Sequence, residues 1–208
     1  MKRRAGFTLI ELLVTVTIFS GILGALLISF FVGRKSYLSA DAYIEVQQEG
    51  RRGLDAMTTE IREAGPATAA VTVPGPAAGG VLTFQTALGW NLATGGCPAG
   101  LCLGAVDAAS NPQSGWTIQY SIDPATKQLL RKVFDNGALP AEQTALRRVL
   151  ANNVNAPDNV TSPYTPFTYN SADTVVAIQL QVQKSSAQLP NGATGTATVN
   201  ARVKLRNN

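Results

Sequence analysis

Histidine is absent from the 208 residues, which removes the commonest general base and the commonest transition-metal ligand, so imidazole-based catalysis and His-ligated zinc are excluded. Cysteine is scarce. Cys97 and Cys102 are the only two, too few for a four-ligand structural zinc site. Charged residues make up 14% of the chain and aromatics 7%, while Ala, Thr, Asn, Gln and Gly are plentiful, as in extracytoplasmic β-rich proteins. The sequence has no Gly-rich phosphate cradle, no metal-ligand cluster and no Ser-His-Asp set, so no enzymatic chemistry and no cofactor are expected.

Charge is most sharply missing between Phe7 and Val32, where Glu11 is the only ionisable side chain. As a helix these roughly 26 residues would reach about 39 Å, enough to cross a hydrocarbon core of about 30 Å. Thr15, Thr17, Ser20 and Ser29 are tolerable there because a hydroxyl can bond the helix's own carbonyls. Gly21 and Gly24 offer small surfaces to a neighbouring helix. A carboxylate in such a segment costs about 2.5 to 3.5 kcal/mol near the bilayer centre and less toward the interface, so Glu11 calls for a functional partner. A secretory signal peptide fits worse, since the apolar stretch exceeds the usual core of about 7 to 15 residues and no A-x-A site follows.

The basic leader Met1-Lys2-Arg3-Arg4-Ala5, then Gly6-Phe7-Thr8-Leu9-Ile10-Glu11 and the apolar run, closely resemble the type IV pilin superfamily, which includes pilus subunits and the pseudopilins of type II secretion. The resemblance implies cleavage between Gly6 and Phe7 by a prepilin peptidase, N-methylation of the new Phe7 amine, and pairing of Glu11 with the terminal amine of a preceding subunit during filament assembly. Opposite charges attract strongly at low dielectric, while either alone keeps its desolvation cost, so the pair would act as a registry device. The usual helix-breaking proline of the family is missing, with Ile28 near its place. Loss of Lys2, Arg3 and Arg4 with the leader takes the 17 basic residues to 14 against 13 acidic ones, so bulk charge gives no argument for nucleic-acid binding.

The expected division is a leader at 1–6, a transmembrane helix at 7–33, an extracytoplasmic amphipathic half of the same helix at 34–64 and a globular β-rich domain at 65–208. The expected fold class is α+β, a long N-terminal helix packed on a C-terminal antiparallel β-sheet domain. Arg34 and Lys35 mark the far membrane boundary, and the three basic leader residues mildly favour a cytoplasmic N-terminus. Gly65 and Pro66 should end the helix near Ala64, and Leu54, Met57, Ile61 and Ala64 form an apolar stripe on which the domain would sit. Gly50 and Gly53 mark either a loose turn or a close neighbour. Arg51 and Arg52 between them read better as a solvated face than as an anion patch.

Residues 65–115, rich in Ala, Gly, Pro and Thr, predict a short strand at Val81 to Thr86, with most of the rest loop. Cys97 and Cys102 would lie on the oxidising side of the membrane, where a small-ring disulfide is favoured over a redox pair, whose spacing is normally two residues. Alternation predicts a strand at Trp116 to Ile122, a turn at Asp123 to Thr126 and a returning strand at Gln128 to Phe134. Ala145 to Val154 is open between helix and strand. Val176, Ile178, Leu180 and Val182 share one face of a strand, as do Val199, Ala201, Val203 and Leu205, and a turn at Leu189 to Gly195 joins the two as an antiparallel pair. Arg202, Lys204 and Arg206 form a basic outer face, read either as an anion or DNA site or, preferably, as charge that keeps an edge from aggregating.

Past the leader, Leu54-Asp55, Glu60 through Gly65, Tyr120 through Asp123, Leu130-Arg131, Asn153-Val154, Phe167, Tyr169 and Val203 through Asn207 are similar to minor pilins of the PilW type and J-class pseudopilins. The resemblance implies a subunit that primes or caps a filament. Its partners would be other pilin subunits, the prepilin peptidase and the inner-membrane assembly platform. The alternatives are a type II secretion pseudopilin and a DNA-uptake or adhesion subunit.

Overall fold

The computed structural model describes residues 8–72, 80–92, 97–156, 164–185 and 194–206. One helix, α1 (Leu9–Arg62), runs unbroken through the apolar segment and past it. Its 54 residues extend for about 80 Å at 1.5 Å each. Thr8 caps it in extended geometry, and the Thr15 and Thr17 hydroxyls donate to carbonyls one turn back, as expected for polar side chains on an apolar helix.

The two halves of α1 meet different surroundings. Up to Asp41 its side chains are exposed apart from half-buried Gly24 and Leu38, whereas from Ala42 onward one face is covered. The covered residues are Ala42, Val46, Gly50, Gly53, Met57 and Ile61, with Ala64 just past the end. The predicted stripe therefore holds at Met57, Ile61 and Ala64, has Leu54 half-buried at its rim, and continues through Gly53, Gly50 and Val46 to Ala42.

The question left open at Gly50 and Gly53 is decided by packing. A β-carbon at Gly50 would lie 3.0 Å from Val199 Cγ2 and 3.2 Å from Val182 Cγ2, and one at Gly53 would lie 3.0 Å from Ala151 Cβ. The glycines let the helix sink between strands, and its loss of helix propensity is offset by closer burial. Arg51 and Arg52 are both exposed, as the solvated-face reading expects.

Three antiparallel sheets follow among the described residues. The first, in order β1-β2-β6-β7-β8, comprises β1 (Ala70–Thr72), β2 (Val81–Phe84), β6 (Thr117–Asp123), β7 (Gln128–Phe134) and β8 (Arg148–Ala151). The second is β3 (Thr86–Leu92), β4 (Cys97–Val106) and β5 (Pro112–Ser114) in chain order. In the third, β10 (Val175–Ser185) lies between β9 (Phe167–Asn170) and β11 (Thr194–Lys204). The inner faces of the first and third sheets meet the covered face of α1, with Leu82, Phe84, Ile118, Tyr120, Leu129, Val133, Val176, Ile178, Leu180 and Val182 buried. This is the α+β architecture expected.

Several strand predictions hold. Ile118, Tyr120 and Ile122 alternate buried along β6, the Asp123 carboxylate accepts from Ala125 N and Thr126 Oγ1 in the turn, and β7 has the predicted bounds. Val176, Ile178, Leu180 and Val182 are buried on β10, and the β10–β11 pair runs from Val175↔Lys204 to Ser185↔Thr194. The predicted Leu189 to Gly195 turn lies mostly outside the described residues.

Two expectations need correction, and one open reading is decided. Residues 65–115 are not mostly loop: β1, β3, β4 and β5 lie there beside the predicted strand, which ends at Phe84, with Gln85 separating it from β3. Backbone pairing supplies order that side-chain periodicity does not show, with Gly104 on β4 so close to β5 that a β-carbon would sit 2.1 Å from Gln113 O. The helix stops at Arg62, two residues early, because Ala64 bridges to Thr86 and Gly65 N donates to Gln85 O at 3.0 Å. The ambiguous stretch from Ala145 is divided between a 3-10 turn at Thr144–Leu146 and β8.

Candidate functional site

The projecting half of α1 is the feature that packing inside one chain leaves unexplained. An 18-residue window of it reaches a mean hydropathy of 2.3 with none of it buried, unlike the core helix of a soluble domain. Leu12, Ile18, Phe19, Leu26, Phe30 and Val32 are each more than half exposed.

Glu11 stands in the first turn of this helix, three residues past the capping Thr8. Its amide donates to Thr8 O at 3.1 Å and to Thr8 Oγ1 at 3.4 Å, one arm of a capping box. A carboxylate at this end also faces the positive pole of the helix dipole. Glu11 is exposed, and its carboxylate has no partner among the described residues. Gly6 and Phe7, the predicted cleavage pair, lie outside them.

Residues 1–29 match the family described as Prokaryotic N-terminal methylation motif. The chain starts with a prepilin-type leader. With the exposed apolar helix directly behind it, the leader motif supports membrane anchoring and a type IV pilin-like protein. No curated protein and no solved structure matches the chain. The leader motif is consistent with the type IV pilin superfamily and does not distinguish among its subclasses.

The prepilin-type helix is fastened to the domain by three carboxylates beside its buried stripe. Glu45 pairs with Lys184 on β10. Glu49 Oε1 accepts from Asn152 N at 2.8 Å and Asn152 Nδ2 at 2.9 Å, just after β8. Glu60 takes Arg131 Nε and Nη2 in a forked contact, with Nη2 at 2.5 Å from Oε1, and also accepts the Tyr120 hydroxyl. Burial, then the Glu60 charge, push the Tyr120 phenol far above its ordinary range. Burial alone would lower Arg131, but its bond and charge contact with Glu60 outweigh that and hold its pKa above the ordinary value. Glu60, Tyr120 and Arg131 are among the positions that carry the finer resemblance, and folding brings all three together. Their mutual contact could not be read from spacing, since 60 and 71 residues separate the partners.

Cys97 and Cys102 both fall on β4. Cys102 is fully buried, while the side chain of Cys97 lies outside the described residues. Opposite them the β3–β4 register slips, with Trp90↔Leu101 followed by Leu92↔Cys97, so β4 is shortened by a bulge between the cysteines. Arg202 and Lys204 are exposed on β11, which is an edge strand, and Arg206 is exposed just beyond it.

Proposed function

We propose that this chain is a minor pilin, a non-enzymatic subunit that helps to start or tip a type IV pilus after prepilin peptidase cleaves between Gly6 and Phe7 and the Phe7 amine is methylated. The observation that carries the reading is a lone carboxylate, Glu11, near the start of an apolar helix that its own domain leaves uncovered. In a filament, apolar helices of other pilin subunits cover that surface and the amine of a neighbouring subunit neutralises Glu11. Burying the pair in the correct register satisfies both charges, and a mis-registered subunit leaves both uncompensated. Before assembly the subunit resides in the bacterial inner membrane as a single pass, its domain extracytoplasmic, where the prepilin peptidase and assembly platform meet it. On that side Cys97 and Cys102 close a disulfide that shapes the bulged end of β4.

Intact mass of the protein from cells with an active peptidase tests the processing. The expected chain starts at Phe7, carries one extra methyl group and is lighter by the two hydrogens of an oxidised cysteine pair. Glu11→Ala is expected to be cleaved normally yet to be lost from sheared filaments. A chain that keeps Met1 in such cells, or a Glu11→Ala variant that incorporates like the wild type, would overturn the reading.

A further inference from the structure

The face of the β9–β10–β11 sheet turned away from α1 carries a trough, at whose margins Tyr164 and Tyr169 also bond back to Asn155 O and Pro66 O. On this face Ala177 of β10 lies between Thr168 of β9 and Arg202 of β11, and the next row holds Asn170, Val175 and Lys204. Small Ala177 leaves a depression between taller neighbours, and the resulting groove measures about 510 Å³. It shares Thr168, Ala177 and Arg202 with a second groove of about 650 Å³, lined further along by Tyr164, Gln179, Gln181 and Asn200. From Thr198 to Lys204 the face runs about 20 Å along β11 and about 10 Å across three strands.

The chemistry changes along that length. At one end are two cations, Arg202 and Lys204, with no ion-pair partner among the described residues. Asp173, the one acidic side chain among the described lining residues, is already bonded to Asn170 Nδ2 at 2.6 Å. The rest combines amide and hydroxyl groups with an apolar floor that includes Val175, Ala177 and Ala201. We infer that this trough binds an acidic polysaccharide, with Arg202 and Lys204 taking carboxylates and the Gln, Asn and Thr side chains taking sugar hydroxyls. Arg offers a carboxylate a planar fork, and side-chain amides donate and accept at once, as a chain of hydroxyls requires.

DNA fits less well. A 20 Å length of duplex presents about 12 phosphates, and even a single strand about 6, against two cations in the trough and Arg206 beyond it. The inference does not depend on filament assembly, because the trough faces away from the helix.

The test uses the mature full-length chain in lipid nanodiscs, titrated with galacturonate oligomers, with the same oligomers fully methyl-esterified, and with a mixed-sequence oligonucleotide at equal salt. The acid should bind at least about tenfold more tightly than the ester, which keeps most hydroxyls but no charge. Arg202→Ala with Lys204→Ala should remove that difference, and Arg202→Lys should retain part of it. Asp173→Asn should strengthen binding of the acid alone, an effect that loss of folding cannot mimic. Gln181→Ala with Asn200→Ala should weaken acid and ester alike. Failure of the wild type to bind the acid, equal binding of acid and ester, or tighter binding of the oligonucleotide would each overturn the proposal.

Discussion

Replacing Glu60 by alanine removes the carboxylate that Arg131 and Tyr120 share beneath the helix, and the cost follows from what is left behind. The Arg131 side chain is 13% exposed and Glu60 22%, so the guanidinium would stay largely buried without a counter-charge. Stranding one member of a fully buried pair costs about 3 to 5 kcal/mol, and the remaining solvent contact reduces this to about 2 to 4 kcal/mol. At about 2 to 4 °C per kcal/mol for a domain of this size, Glu60→Ala should lower the melting temperature by about 10 °C. Removing both charges, as Glu60→Met with Arg131→Met, should recover at least about 1 kcal/mol relative to the sum of the single changes. Near-UV circular dichroism during urea unfolding in detergent is the assay, since Trp116 and the core tyrosines report the domain while micelles hold the projecting helix. Single variants that each cost under about 0.5 kcal/mol, or a double variant that equals their sum, would refute the claim that this pair ties helix to sheet.

The two helix glycines should respond unequally to alanine. Gly53→Ala drives a methyl against the β-carbon of Ala151, which cannot rotate aside, and should destabilise by about 1 to 2 kcal/mol after the gain in helix propensity is subtracted. Gly50→Ala meets valine methyls that can shift, and should lie closer to neutral in the same unfolding assay. Tyr164, whose hydroxyl donates to Asn155 O, has its phenol pushed by burial from 10.0 to about 12. Below pH 10 folded and unfolded chains hold the same proton; between there and about 12 only the folded chain keeps it, so stability falls across that window. Unfolding measured from pH 9 to 12 should show a shallower decline in Tyr164→Phe, and an unchanged slope would rule this contribution out.

What could be read in advance depended on whether the side chains announced the backbone. β6 and β10 alternate apolar and polar residues against one buried face, and the apolar side chains fix their register, while β7, where Leu129 and Leu130 are both buried, was legible from the turn at Asp123 to Thr126 that precedes it. The second half of α1 showed its stripe from Leu54 to Ala64, but Ala42, Gly50 and Gly53 face the same core without a large side chain, and buried Val46 between them was not legible as part of a periodic face. β3 to β5 escaped notice because Thr86-Ala-Leu-Gly-Trp-Asn-Leu92 and its partner carry glycines and bulges that resemble loop chemistry, although the close approach of β4 to β5 demands Gly104. At the candidate site, Glu11 stood out as one charge in an apolar run. Its cap with Thr8 follows the T-x-x-E spacing and was open to recognition from the same letters, whereas the convergence of Glu60, Tyr120 and Arg131 is a product of tertiary folding.

The attachment of Glu45 to β10, of Glu49 to Asn152 just past β8, and of Glu60 to β7 also bears on how the molecule carries load. These anchors are spread over about 22 Å of helix, so a pull on the projecting end loads them in shear, side by side, along with the apolar surface between them. Rupture then requires several contacts to yield together, and the domain resists extraction along the helix axis better than it would resist being peeled from one end.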